Sequence, residues 1–176
     1  MNASPARRAK IASMIRVDQA GEFGATRIYA GQLAVLGNRH PIARDIAHMA
    51  EQEARHRIFF DRMISERRVR PTILSPFWNV AGFALGAATA AMGPRAAMAC
   101  TAAVETEIDA HYREQLEELG DDDPELSAAI VEFRAEELEH KDAAIAAGAE
   151  SAPAYPLLSA TIRAGCRAAI ALAKRI

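Results

Sequence analysis

Glu53 and His56, in Met49-Ala-Glu-Gln-Glu-Ala-Arg-His56, are one helical turn apart. On a helix that spacing sets a carboxylate beside an imidazole on one face. The pair returns as Glu137 and His140 in Glu136-Glu-Leu-Glu-His140. A single Glu-x-x-His fits a solvated helix face as well as it fits a ligand pair. Two copies, each preceded at nearly equal distance by a further glutamate, are harder to obtain by accident: Glu22 precedes Glu53 as Glu105 precedes Glu137. Oxygen and nitrogen donors without thiolate suit iron or manganese better than structural zinc.

The repetition extends beyond the donors. Aligning Glu22 with Glu105 brings Tyr29 onto Tyr112, Gln32 onto Gln115, Leu33 onto Leu116, Leu36 onto Leu119, Gly37 onto Gly120 and Pro41 onto Pro124. One residue of slip then superimposes the two Glu-x-x-His pairs. Four antiparallel helices can direct one glutamate from each of two helices, and a Glu-x-x-His from each of the other two, into a shared core, as in di-iron and di-manganese carboxylate bundles. Four carboxylates balance two divalent cations; without metal they would repel one another and bear a large desolvation cost. In such a centre Glu53 and Glu137 bridge the ions, Glu22 and Glu105 are terminal, and His56 and His140 bind one ion each. Asp18, one turn before Glu22, and Asp109, one turn after Glu105, are candidates to orient the imidazoles. Tyr112, seven residues after Glu105, and its neighbour His111 are candidates for a proton or electron relay.

The elements that must position these residues are helical. Alanine is abundant and the Val/Ile/Thr alternation of strands is nearly absent, so the chain of 176 residues reads as one all-α domain, a ferritin-like four-helix bundle of two helical hairpins. Residues 1–10 read as a flexible, basic lead-in to a helix from about Ile11 to Leu36, stopped at Gly37-Asn38. Pro41 suits the first turn of a second helix reaching about Ser65. Helices from about Arg95 to Leu119 and from Pro124, capped by Asp123, to about Ala147 form the second hairpin, and a further helix follows Pro153 and Pro156 to the C-terminus. Residues 71–94 carry no charge and form an apolar crossover. That segment either lies in a membrane surface, with Trp78 as an interfacial anchor and Arg67, Arg68 and Arg70 facing lipid phosphates, or packs as a buried connector.

Composition excludes other classes. A net charge of −2 and 6% aromatic residues provide neither a basic footprint nor a stacking surface for nucleic acid. Cys100 and Cys166 form no CxxC, which fits a reduced, intracellular chain. The first residues read as neither a secretory signal nor a convincing transit peptide, which favours the expectation of a bacterial chain or a mature form.

Ile15-Arg-Val-Asp-Gln-Ala-Gly-Glu-Phe-Gly-Ala25, Arg27-Ile-Tyr-Ala-Gly-Gln32, Ala103-Val-Glu105, Glu136-Glu-Leu-Glu-His140, and Ala152-Pro-Ala-Tyr155 followed by Ala164-Gly-Cys-Arg167 resemble the demethoxyubiquinone hydroxylases of ubiquinone biosynthesis. The likeness runs from about Met14 to the end. Glu22, Glu53, His56, Glu105, Glu137 and His140 fill that family's metal-ligand positions, and His111-Tyr112 matches another of its motifs. The resemblance implies a di-iron monooxygenase that uses O2 to hydroxylate the ring of a demethoxy ubiquinone precursor. It implies peripheral attachment to a membrane, at the cytoplasmic face of a bacterial inner membrane or the matrix face of the mitochondrial one. It also implies NADH as a reductant. No Rossmann fingerprint is present, which leaves Arg167 and Arg175 as candidates for the dinucleotide phosphates or for lipid phosphate. A homodimer or an accessory protein of ubiquinone biosynthesis is an expected partner. The alternatives are another ferritin-like di-metal protein of peroxidase or catalase type, and iron binding and storage.

Overall fold

The computed structural model describes residues 4–37 and 39–175. Six α-helices account for most of them: α1 (Pro5–Leu36), α2 (Ala43–Glu66), α3 (Ser75–Ala91), α4 (Pro94–Leu119), α5 (Pro124–Ala146) and α6 (Tyr155–Ala173), with a 3₁₀ turn at Ala149–Ser151. No strand occurs among the described residues. The fold is all-α, as the composition implies.

The hairpins α1–α2 and α4–α5 pack with α1 against α4 and α2 against α5. Both cross-hairpin pairs are antiparallel. Tyr29 reaches Glu105 while Tyr112 reaches Glu22, and His56 meets Glu136 while Gln52 meets His140. Crossover helix α3 lies along the outer side of α1, and α6 along α4. The α1–α3 contact is made by backbone. A Cβ on Gly86 would sit 1.9 Å from the Ile28 carbonyl oxygen, and one on Gly31 would sit 2.2 Å from that of Phe83. Only glycine permits this approach.

Two apolar layers enclose the polar middle of the bundle. One contains Ile15, Phe60, Met63, Leu126, Ile130 and Phe133. The other contains Ile46, Met49, Met98, Ala102 and Ala144. Helix α4 is buried without interruption from Ala96 to Glu105, because α5, α6, α3 and the 3₁₀ turn surround it.

Expectations about several helix ends and about Arg67 need correction. Helix α1 begins at Pro5 rather than near Ile11, so of the lead-in only residues 1–3 lie outside the described chain. The Ser4 side chain caps the helix by accepting from Arg7 N, and Pro5 takes the first turn. The basic residues are held where the C-terminus of α4 exposes its carbonyls: Arg7 donates to the Glu118 and Leu119 oxygens and pairs with Asp122, and Lys10 pairs with Glu118 at 3.1 Å. Pro41 lies in the turn before α2, whose first residue is Ala43. Asn38 falls outside the described residues. Arg67 does not face outward to lipid; it pairs with Asp123 and with Glu125 at 2.9 Å, tying α2 to the start of α5. Helix α6 begins at Tyr155, with Pro156 inside its first turn, and ends at Ala173 rather than at the C-terminus. The bundle boundaries otherwise agree: Gly37 and Gly120 stop α1 and α4 with positive φ, Asp123 caps α5 and Gly148 adopts the left-handed conformation after it.

Candidate metal centre

Each of the four bundle helices delivers its residues inward at the middle of its length. Glu22 comes from α1, Glu53 and His56 from α2, Glu105 from α4, and Glu137 and His140 from α5. All six are buried, none exceeding 3% exposure, in a layer closed above and below by hydrocarbon. They form two overlapping groups able to hold a metal ion, Glu22–Glu53–His56–Glu137 and Glu53–Glu105–Glu137–His140, with donor atoms within 4.8 Å of one another in each. Glu53 and Glu137 are common to both. His56 Nδ1 stands 3.2 Å from Glu137 and 3.5 Å from Glu22; His140 Nδ1 stands 3.2 Å from Glu137 and 3.4 Å from Glu53.

The donor set fits a cation better than it fits itself. Glu53 Oε1 and His56 Nδ1 are buried and close no hydrogen bond of good geometry. Such orphaned atoms are costly unless something else satisfies them. The electrostatics carry the same sign of frustration. Burial, then repulsion from Glu137, raises the Glu53 pKa well above the carboxylate range, and the same two causes raise Glu105. Burial also works to raise Glu137, but hydrogen bonding with His140, His56 and Glu105 outweighs it and lowers that pKa to about 2. On His56 burial opposes charge, yet the facing Glu137 and Glu22 carboxylates lift its pKa to about 10. Bound cations would relieve these conflicts together.

The surrounding groups repeat across the bundle. Tyr29 of α1 donates to Glu105 at 2.8 Å, and Tyr112 of α4 donates to Glu22. Gln32 donates to Thr101 at 3.4 Å and to the Ala97 oxygen at 3.0 Å; Gln115 donates to Asp18 at 2.7 Å. Both tyrosine hydroxyls have pKa values pushed well above the ordinary phenol by burial and by the adjacent carboxylates.

Asp18 and Asp109 do not orient the ligand-type imidazoles. Asp18 meets His111 Nε2 at 3.2 Å, and Asp109 accepts from Arg134 at 2.6 Å, because one turn along α1 or α4 points a side chain past the centre. That task falls to two residues absent from the sequence-based set. His56 Nε2 donates to Glu136 at 3.0 Å, and His140 Nε2 donates to Gln52 at 3.0 Å. Each immediately precedes a Glu of the Glu-x-x-His pair, and each reaches across to the opposite hairpin. The repeat held the signal, since both occupy the same offset.

Arg167 is joined to Glu107 at 2.9 Å, alongside Arg163 at 2.6 Å. Arg175 is exposed beyond the end of α6. His111 lies beside Tyr112, with ring centroids 6.2 Å apart, and lines a polar cavity of about 250 Å³ with Lys10, Ser13 and Lys174.

An apolar groove of about 520 Å³ runs between α3 and α6. Its floor includes Gly21, Gly24, Ala25, Ile28, Val104 and Ile108, the neighbours of Glu22 and Glu105 along their helices. Its wall includes Phe77 and Trp78. Among the described residues no helix is long and apolar enough to cross a membrane.

Residues 9–173 match the family model described as ubiquinone biosynthesis protein COQ7. The chain is 54% identical over 172 residues to a 3-demethoxyubiquinol 3-hydroxylase of Rhodospirillum rubrum, covering 98% of this chain and 81% of that protein. It is 51% identical over 173 residues to the human NADPH-dependent 3-demethoxyubiquinone 3-hydroxylase, mitochondrial, covering 96% and 79%. It is 42% identical over 191 residues to the 5-demethoxyubiquinone hydroxylase, mitochondrial, of Saccharomyces cerevisiae, covering 99% and 82%. With residues 9–173 matched and the two carboxylate–histidine groups at its centre, the chain belongs to the COQ7 family.

Proposed function

We propose that this protein is an O2-dependent hydroxylase of the demethoxyubiquinol or demethoxyubiquinone ring, built on two iron ions held by Glu22, Glu53, His56, Glu105, Glu137 and His140. The observation that carries the reading is the pair of buried donor groups sharing Glu53 and Glu137. The names of its relatives supply the substrate class. When bound, an iron pair supplies the redox chemistry that activates O2.

The chain's own residues do the rest. Glu53 and Glu137, common to both donor groups, would serve both ion positions, and Glu22 and Glu105 would each complete one. Tyr112 and Tyr29 hold those terminal carboxylates by their hydroxyl protons. His111 and Tyr112 form a relay beside Glu22 that leads toward the polar cavity. The groove binds the quinone head against Gly21, Ala25, Val104 and Ile108, where glycine and alanine leave room for a ring beside Glu22 and Glu105. Its hydrocarbon walls exclude water and receive the polyprenyl tail. Such a groove has no use in iron storage or peroxide disproportionation.

Exposed apolar side chains on the same side of the molecule support peripheral seating on a membrane surface. Phe77 (59% exposed), Val80 (68%) and Leu157 (69%) project from α3 and α6 beside the groove. A lipid substrate can enter there without leaving hydrocarbon. The face would be cytoplasmic in a bacterium and matrix-side in a mitochondrion. A nicotinamide donor such as NADH would deliver electrons from the aqueous side, with Arg167 and Arg175 as its proposed phosphate contacts. A second copy or an accessory protein would cover the remaining apolar surface.

Complementation of a ubiquinone-deficient strain that accumulates the demethoxy intermediate tests the function. Restored ubiquinone is expected, and a well-expressed chain that restores none would show the assignment wrong. The Phe77→Ser, Trp78→Ser double variant should move the protein from the membrane to the soluble fraction. An unchanged distribution would sink the membrane-facing role of α3.

A further inference from the structure

The pseudo-twofold relation between the hairpins serves as an internal control. Most groups around the two donor clusters are matched across it: Tyr112 on Glu22 by Tyr29 on Glu105, and Gln115 by Gln32. These leave no difference between the two ion positions. One pair in contact with the ligand-type imidazoles is unmatched in charge. His56 donates its Nε2 proton to the Glu136 carboxylate, whereas His140 donates to the Gln52 amide.

A carboxylate can only accept, so it fixes the proton on His56 Nε2 and leaves Nδ1 free to bind an ion. It also raises the basicity of the imidazole through the hydrogen bond. An amide does neither as strongly, since its two ends can exchange roles. Arg55 bonds both Glu136 oxygens at 3.1 Å, but its side chain is 58% exposed and its charge is screened by water. A second unmatched pair, Asp18 one turn from Glu22 where Thr101 stands relative to Glu105, adds little charge, because burial raises the Asp18 pKa and His111 faces it at 3.2 Å.

We infer that the two ion positions are unequal, the one closed by Glu22 and His56 being the tighter and the first to fill, with Glu136 and Gln52 as the positioning residues that set the difference. This rests on the two-ion reading of the centre. It predicts an order of assembly: one ion retained, the other exchangeable.

Anaerobic calorimetric titration of the metal-stripped full chain with Fe(II) is the test, with total stoichiometry read separately from the affinity of each step. Two binding events are expected, the first ~10-fold or more tighter. His56→Ala should remove the tighter event and His140→Ala the weaker. Glu136→Gln should weaken the tighter event ~10–100-fold, and Gln52→Glu should strengthen the weaker one by a comparable factor. The double exchange conserves net charge and should reverse the order, so that His140→Ala now removes the tighter event. Should Glu136→Gln fail to fold by circular dichroism, Gln52→Glu alone decides the matter. Two events of equal affinity, or an order unchanged by the exchange, would overturn this inference and leave the two-ion centre standing. Binding of no iron would overturn both.

Discussion

Helices α1 and α4 present the same ladder inward: a glutamate, a tyrosine seven residues on and a glutamine three further. Outward they meet different neighbours. Helix α1 is studded with glycine and takes α3 at backbone distance, while α4 is alanine-rich and takes α6 through side chains. The inner faces are alike because both must present carboxylates to one centre, where a displacement would lose the geometry. The outer faces differ because they do separate work. Backbone contact fixes α3 as a rigid wall carrying Phe77 and Trp78, and the looser α4–α6 seam leaves the groove open beside it. Sameness marks the chemistry of the repeat, and divergence marks how a substrate reaches it.

The largest expected effect lies where the halves are shared. Glu137→Ala removes a donor common to both clusters, so iron binding near two equivalents and restoration of ubiquinone should both vanish; retained activity in the complementation assay would break the symmetric picture.

Next in size is the pH response of the metal-stripped protein. Glu53 and Glu105 have folded pKa values raised above the ordinary 4.5, so the native state holds more protons than the unfolded one, and stability falls as pH rises from that value. His56, raised from 6.5 to about 10, stabilises fully below 6.5 and loses that contribution as pH climbs through 10. Glu137 acts in the opposite sense and only at low pH: its contribution is present above 4.5 and lost toward about 2. Thermal melts should therefore decline from pH 6 to 10 without metal, and Glu53→Gln should flatten the decline while abolishing metal binding. A melt that rises over this range would refute the frustration assigned to the carboxylates.

The outer faces give the smaller effects. Gly86→Val forces a side chain onto the Ile28 carbonyl and should cost ~1–3 kcal/mol or more in denaturant unfolding, with loss of the α3 wall. On the other helix Gly165 has open space around its Cβ position, and Gly165→Ala should stabilise by ~0.5–1 kcal/mol through helix propensity. Equal outcomes at the two glycines would erase the contrast between the seams.

The residues themselves explain what could be read in advance. The six ligand-type side chains, the two hairpins and the turns at Gly37, Gly120 and Asp123 were visible because repetition and turn chemistry are local signals. Glu136 and Gln52 were not, since a polar residue beside a ligand-type glutamate reads as helix surface until the opposite hairpin is placed. The extension of α1 to Pro5 was hidden for a related reason: Arg7 and Lys10 look solvated until the C-terminal carbonyls of α4 arrive beside them. The apolar 71–94 stretch could not be divided from composition between a lipid-facing and a protein-facing role. The helix does both, with Gly82 and Gly86 turned to α1 and Phe77 and Val80 turned to solvent.

The uninterrupted burial of Ala96 through Glu105 bears on folding kinetics. A helix screened on every side cannot exchange its amide protons by fraying or by the loosening of one neighbour. Hydrogen exchange at Met98 through Ala103 should proceed only through global unfolding, the slowest in the chain, while α6, held to α4 through side chains, opens on its own at lower free energy. The central strip of α4 would then be the part that remembers the native topology longest, and α6 could breathe around a centre that does not.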